Sequence, residues 1–250
     1  MSFLNVRWII LVLCTLIVTE SSWGQNGVIT YNRKQNWLNI MSKLPYLSQE
    51  EKDRMQLTWG KDENTGYDFL LTYNTSGYIY MRKEKEDNYG ESWDDGEDDI
   101  LIRNAESKTT RDIRILLGKK YLVEDDVPRY RWKILNELKE VAGYICMKAE
   151  TRDTVNNIVV EAWFTDKIPV MLGPEGFSGL PGMILALDFN GDDVNIVATK
   201  VELKENLPTL PLPKKIKGKS ITYKEYNTKK LKHIQLSVEG KRNPYWEVRY

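Results

Sequence analysis

Chemistry in this chain would have to come from few residue types. It has one histidine, His233, and two cysteines, Cys14 and Cys146. A nucleophilic site needs a serine or cysteine beside a positioned base. His233 sits in Lys229-Lys230-Leu231-Lys232-His233, which reads as an exposed basic helix face, and no nucleophile-elbow motif occurs. Cys146 lies in the apolar run Gly143-Tyr144-Ile145-Cys146-Met147-Lys148-Ala149, where a thiol behaves as a small hydrophobe. One histidine and that one cysteine cannot make a zinc site. Asp94-Asp95-Gly96-Glu97-Asp98-Asp99 and Asp188-x-Asn190-Gly191-Asp192-Asp193 offer oxygens of the kind calcium takes. Neither has the twelve-residue loop closed by a bidentate glutamate, so they read as a solvated loop and a hairpin turn. Paired-carboxylate hydrolysis needs only two acids, and no spacing here singles out a pair. A phosphate-cradling glycine loop is missing too. The chain therefore reads as non-catalytic, with no catalytic, cofactor or metal residue to name.

The most distinctive stretch offers conformation rather than reactive groups. Pro169, Pro174 and Pro181 fix φ at about −65° and delete donors, while Gly173, Gly176, Gly179 and Gly182 permit positive φ. Leu180-Pro181-Gly182 suits a β-turn with proline in its first central position and glycine in the second. Such a segment is either a rigid corner feeding the strand that begins near Met183, or a shaped lip that contacts a partner. Glu175 and Ser178 flank it, where a crosslinking probe would report that contact. With Trp163 and Phe177 added, these residues form the candidate motif. Aromatic side chains at Tyr78, Tyr80, Trp132, Tyr144, Trp163 and Phe164 fall on predicted strands and serve as core. Lining a curved sheet, they would instead enclose an acyl chain or other apolar ligand.

The elements that must position these residues are mostly strands. Runs at 27–32, 68–73, 77–82, 112–116, 120–123, 131–135, 142–149, 157–164, 183–189 and 194–201 are β-branched, aromatic or alternating, and turn residues bound them. Asn190-Gly191 favours a tight hairpin. Trp37, Leu38, Met41 and Leu44 recur at helical spacing up to Pro45. Ser48 with Glu51 is a capping-box pattern opening a second short helix to about Leu57, and the pair should cover one sheet face. Thr222 with Glu225 repeats the pattern before a helix to about Lys232. Three prolines at 208, 211 and 213 make an extended connector. The expected class is mainly β: a curved antiparallel sheet or half-barrel with a few short covering helices.

Residues 1–24 read as a signal peptide. Arg7 precedes the apolar stretch Trp8–Val18, and Ser22-Trp23-Gly24 supplies small residues for cleavage before Gln25. The stretch is short for a span of about 20 residues, so no transmembrane segment is expected after cleavage. The domain boundaries that follow are 25–206 for a β-rich unit and 207–250 for a connector and C-terminal helical element. Roughly 225 residues can bury a core without a disulfide. Basic and acidic residues balance at 36 each, which argues against a nucleic-acid partner.

Several blocks carry a family resemblance: Gly27-x-Ile29-x-Tyr31, Trp132-Lys133-Ile134, Ala142-Gly143-Tyr144-x-Cys146, Ala162-Trp163-Phe164-Thr165, Ile168-Pro169-Val170, Gly173-Pro174, and Phe177-x-Gly179-Leu180-Pro181-Gly182-Met183-Ile184. Together they resemble the GLPGLI family of secreted envelope proteins, with Met183 in place of the leucine, and residues 84–99 look like an insertion. The resemblance implies an exported β-rich protein that is periplasmic, outer-membrane-associated or extracellular, and it carries over no catalytic residue. The expected role is binding another envelope component, such as an outer-membrane transporter or surface complex. The alternative is a carrier of lipid or apolar ligand.

Overall fold

A computed structural model of the protein describes residues 26–60, 66–83, 99–154, 156–213, 218–246 and 248–250. The leader expected at 1–24 and the acidic segment up to 98 lie outside the described residues. Among these residues twelve strands form one sheet: β1 (Gly27–Gln35), β2 (Tyr67–Asn74), β3 (Gly77–Arg82), β4 (Leu101–Asn104), β5 (Thr109–Leu116), β6 (Lys119–Asp126), β7 (Lys133–Val141), β8 (Tyr144–Asp153), β9 (Ile158–Thr165), β10 (Met183–Phe189), β11 (Val194–Leu203) and β12 (Lys219–Ile221). Their order is β12-β6-β5-β4-β3-β2-β1-β11-β10-β9-β8-β7, open at both ends. All pairings are antiparallel except β12 with β6. Residues of β4–β6 and of β8–β10, far apart in that order, line one cavity, so the sheet curls as expected.

Alternation explains which face curls inward. Ile29, Tyr31 and Arg33 are buried along β1 while their neighbours are half-exposed, and the register continues that row through Phe69, Leu71 and Tyr73 on β2 to Tyr78 and Tyr80 on β3. The row carries about 2 kcal/mol per buried apolar side chain. The Tyr31 hydroxyl donates to the Ile184 carbonyl at 2.7 Å, past the intervening strand β11, whereas the buried Tyr73 and Tyr78 hydroxyls make no hydrogen bond among the described residues. Cys146 is fully buried, and burial pushes its thiol up to about 11.

Among the described residues three helices accompany the sheet: α1 (Trp37–Ser42), α2 (Gln49–Trp59) and α3 (Tyr223–Glu239). Both capping boxes form, Ser48 with Glu51 and Thr222 with Glu225. The helical pair does not cover the sheet as expected: α1 buries Ile40, whereas α2 buries nothing and leaves Leu57 84% exposed. Strand boundaries shift in one hairpin. β7 runs on to Val141, and Ala142 and Gly143 are its turn, both at positive φ, a geometry matched to the twist of a two-residue hairpin. Strands β4 and β12 are additions to the sequence reading. Among the described residues no helix is long and apolar enough to cross a membrane.

Candidate functional site

The Gly-Pro segment between β9 and β10 turns into the concavity. A 3-10 turn at Pro174–Gly176 places Glu175 in the left-handed region at φ 55°, a conformation that costs a non-glycine residue about 1 kcal/mol or more. The carboxylate repays it. Arg249 donates to Glu175 Oε1 at 2.5 Å, the Tyr80 hydroxyl at 3.2 Å, and Arg33 Nε lies 3.4 Å away. Burial alone would raise this carboxyl, yet Arg249 and Arg33 hold it down at about 2. Phe177 follows, ringed by Tyr130, Trp132 and Phe189 with centroids 4.5–6.1 Å apart. Trp132 Nε1 donates to the Ser178 carbonyl at 2.9 Å.

The turn at Leu180-Pro181-Gly182 differs from the expected β-turn. The Gly182 amide donates to the Leu180 carbonyl at 2.8 Å, a three-residue γ-type closure centred on proline. Gly182 has φ 148°, and a Cβ there would sit 2.1 Å from the Thr165 carbonyl oxygen, so strand β9 excludes any side chain. Of the candidate motif, Trp163, Gly173, Pro174, Phe177, Leu180 and Gly182 are buried, while Pro169, Gly179 and Pro181 are exposed. Trp163 is separate from the rest in chemistry: its ring carries Lys139 and Lys148 at 5.2 and 5.7 Å.

Beside this segment an open cavity of about 1660 Å³ occupies the concave side. One wall comes from β9, β10 and the motif segment and is largely apolar, with Ile158, Val170, Leu172, Phe177 and Phe189. The facing wall comes from β4, β5 and α3 and is charged. On β5, Asp112 and Arg114 share a face by two-residue spacing. Asp112 accepts from Arg103 and from the Tyr223 hydroxyl in short contacts, and Arg103 also donates to Thr110 at 2.6 Å. Arg114 donates to Asp99 at 2.8 Å. On α3, Tyr223, Tyr226, Asn227 and Lys230 recur at helical spacing and all line the cavity. Lys230 makes no hydrogen bond or ion pair among the described residues. Burial, and then the Arg114 charge, lower its ammonium to about 8.

The sequence reading found the motif but not this wall. Asp99 is not solvated loop: it is buried against Arg114, and its other oxygen accepts from the Ile115 amide at 2.8 Å. Glu175, chosen as a surface probe position, is buried in ion pairs. His233 faces the chain end, with Nε2 at 3.3 Å from the Pro244 carbonyl oxygen. The hairpin acid Asp193 is fully buried and serves Lys43 at 2.6 Å, Asn39 at 2.7 Å and the Tyr250 hydroxyl, so it clamps elements together. The local signals for the charged wall were the two-residue spacing of Asp112 and Arg114 and the helical spacing of Tyr223, Tyr226, Asn227 and Lys230.

Comparison with known proteins adds a family match and a fold match. A family described as a protein of unknown function (Porph_ging) matches residues 150–186, from the end of β8 through the motif into β10. The match covers the Gly-Leu-Pro-Gly segment under a different family name from the one the motif suggested. No curated protein matches the chain. Among solved structures, one of PNGF-II in a P21 crystal form is similar with TM-score 0.53 and 17% identity, covering 83% of this chain and 34% of that one. A second PNGF-II structure, in a C2 form, gives 0.50 and 16%, covering 82% and 32%. This chain thus spans about a third of the length of the structures it matches. At such identity the likeness concerns the fold alone.

Proposed function

We propose that this is an exported, non-catalytic binding protein whose curled sheet holds an amphiphilic ligand in its concavity. The observation that carries the reading is the cavity itself, with an apolar wall from the motif side facing a charged wall from β4, β5 and α3. Ligand sites typically pair apolar surface with a few placed polar groups. The volume exceeds the usual upper figure of about 1,000 Å³, which suits a long molecule better than a compact metabolite. The interior is too charged for a purely apolar cargo, so the carrier reading is narrowed to molecules with a polar end. Export rests on the N-terminal pattern, and the destination is the periplasm, the outer membrane or the exterior.

Titration of the purified mature chain with 6-propionyl-2-dimethylaminonaphthalene, an uncharged fluorophore with an apolar body and a polar end, tests this. One saturable site is expected, and Val170→Trp, which fills the apolar wall, should abolish it. A wild-type protein that binds the probe no more than a denatured control ends the proposal.

A second reading, docking onto another envelope protein, draws on strand β7. It is the sheet's nine-residue outer edge, with Ile134 and Leu138 exposed by 52% and 68%. Such an edge is a template for strand addition. A crosslinking probe at Ser178 or Gly179 reports the alternative in which the exposed motif residues make the contact.

A further inference from the structure

Among the described residues Lys230 lines the charged wall without a hydrogen bond or ion pair of its own. The guanidinium groups there are held by named acids: Arg103 by Asp112, Arg114 by Asp99 and, at 3.6 Å, by Asp112, and Arg249 by Glu175. Lys230 faces the same space from α3, on the helix face that also carries Tyr223 and Tyr226. Its electrostatic neighbours are Arg114, Asp153, Asp99 and Arg249. Asp99 is committed to Arg114. Asp153, at the end of β8, caps its own hairpin by accepting from the Asn156 side-chain amide at 2.5 Å and from its backbone amide at 3.2 Å. A half-buried ammonium without a close counter-charge is costly. One facing a cavity is relieved when an oxyanion enters, because a charge-assisted hydrogen bond is stronger than a neutral one and strengthens further as the pair is withdrawn from bulk water.

We infer that Lys230 is the seat of an oxyanion, a phosphate or carboxylate, with Arg114 behind it supplying a second positive charge. Resting on the binding function proposed above, this assigns the ligand class as an anionic amphiphile: the acidic head sits at Lys230 on α3, and the apolar body runs toward Val170, Phe177 and Phe189. The lowered ammonium supports the assignment, since a bound anion would restore it toward the ordinary lysine value.

The test compares three amphiphiles of one chain length below their micelle concentrations, dodecyl phosphate, dodecyl maltoside and dodecyltrimethylammonium, together with inorganic phosphate, on wild type, Lys230→Met and Lys230→Arg. Circular dichroism and thermal melts establish that each variant folds. Dodecyl phosphate should bind wild type about tenfold more tightly than the maltoside, a difference of one close charge pair. Lys230→Met should erase that preference without weakening the maltoside, and Lys230→Arg should keep it. If inorganic phosphate binds as tightly as dodecyl phosphate and Lys230→Met abolishes both, the oxyanion seat stands and its ligand is a free anion. Equal binding of phosphate and maltoside heads by wild type overturns the inference while leaving the cavity function intact. If no amphiphile and no phosphate binds, both fall together.

Discussion

Glu175 shows what a single residue contributes when its neighbours are charged. Its backbone is strained and its carboxylate is buried, and both are tolerated because Arg33, Arg249 and Tyr80 converge on it. Substituting Glu175→Gln leaves two buried guanidinium groups facing an amide, and breaking a buried pair in this way costs about 3–5 kcal/mol. Urea denaturation at neutral pH should show that loss. The pH dependence has a definite sign. A carboxyl held at about 2 against an ordinary 4.5 stabilises the fold fully above 4.5, and that contribution drains away as pH falls toward 2. The stability gap between wild type and Glu175→Gln should therefore narrow steadily across this window, and a gap of constant width would count against the ion pairs. None of this was legible locally. A glutamate between Pro174 and Gly176 has the composition of an exposed loop, and its partners Tyr80 and Arg249 lie 95 and 74 positions away.

At the scale of elements, legibility follows range. Helix starts are written in four consecutive residues, and both capping boxes formed as the sequence indicated. Their consequences differ because their helices do. An N-cap serine or threonine replaced by alanine costs about 1 kcal/mol. In α2, which buries no residue, Ser48→Ala should speed amide exchange over residues 50–57 and leave the global melting temperature where it was. In α3, which buries Tyr226 and presents Lys230, Thr222→Ala should lower the melting temperature by about 2–4 °C. A global shift from Ser48→Ala would show that α2 is better anchored than its burial indicates. The short strands escaped the reading for a physical reason. β4 is four residues long with Arg103 turned inward to Asp112, so its apolar alternation is broken by the very residue that matters. β12 has three residues and gains its place only by pairing with β6. The motif was legible as a corner because proline and glycine restrict the backbone wherever they stand. That the corner folds into the concavity depends on Phe177 and Leu180 finding partners elsewhere in the chain.

For the whole molecule, a mainly β class followed from many short runs between turns, and the curl followed from the number of strands a chain of this length carries. Strand order was not written anywhere. The sheet places β1 at its centre, between β2 and β11, with Gly27 opposite Leu203 on one side and Tyr73 on the other. That arrangement has a consequence in time. The hairpins β2–β3, β5–β6 and β8–β9 close over short separations, whereas the β1–β11 seam must wait for the two ends of the domain to meet. Loop-closure entropy and the slowness of non-local pairing both weigh on that step. In pulse-labelled exchange during refolding, amides of β1 that face β11 should gain protection after those of the three hairpins, and protection of that seam in the earliest phase would contradict the order. A chain made or threaded from its N-terminus would carry its innermost strand half-paired through most of its production. The sheet is then sealed late at its middle: the β7 edge is paired before β11 exists, and only the three residues of β12 join the other edge afterwards.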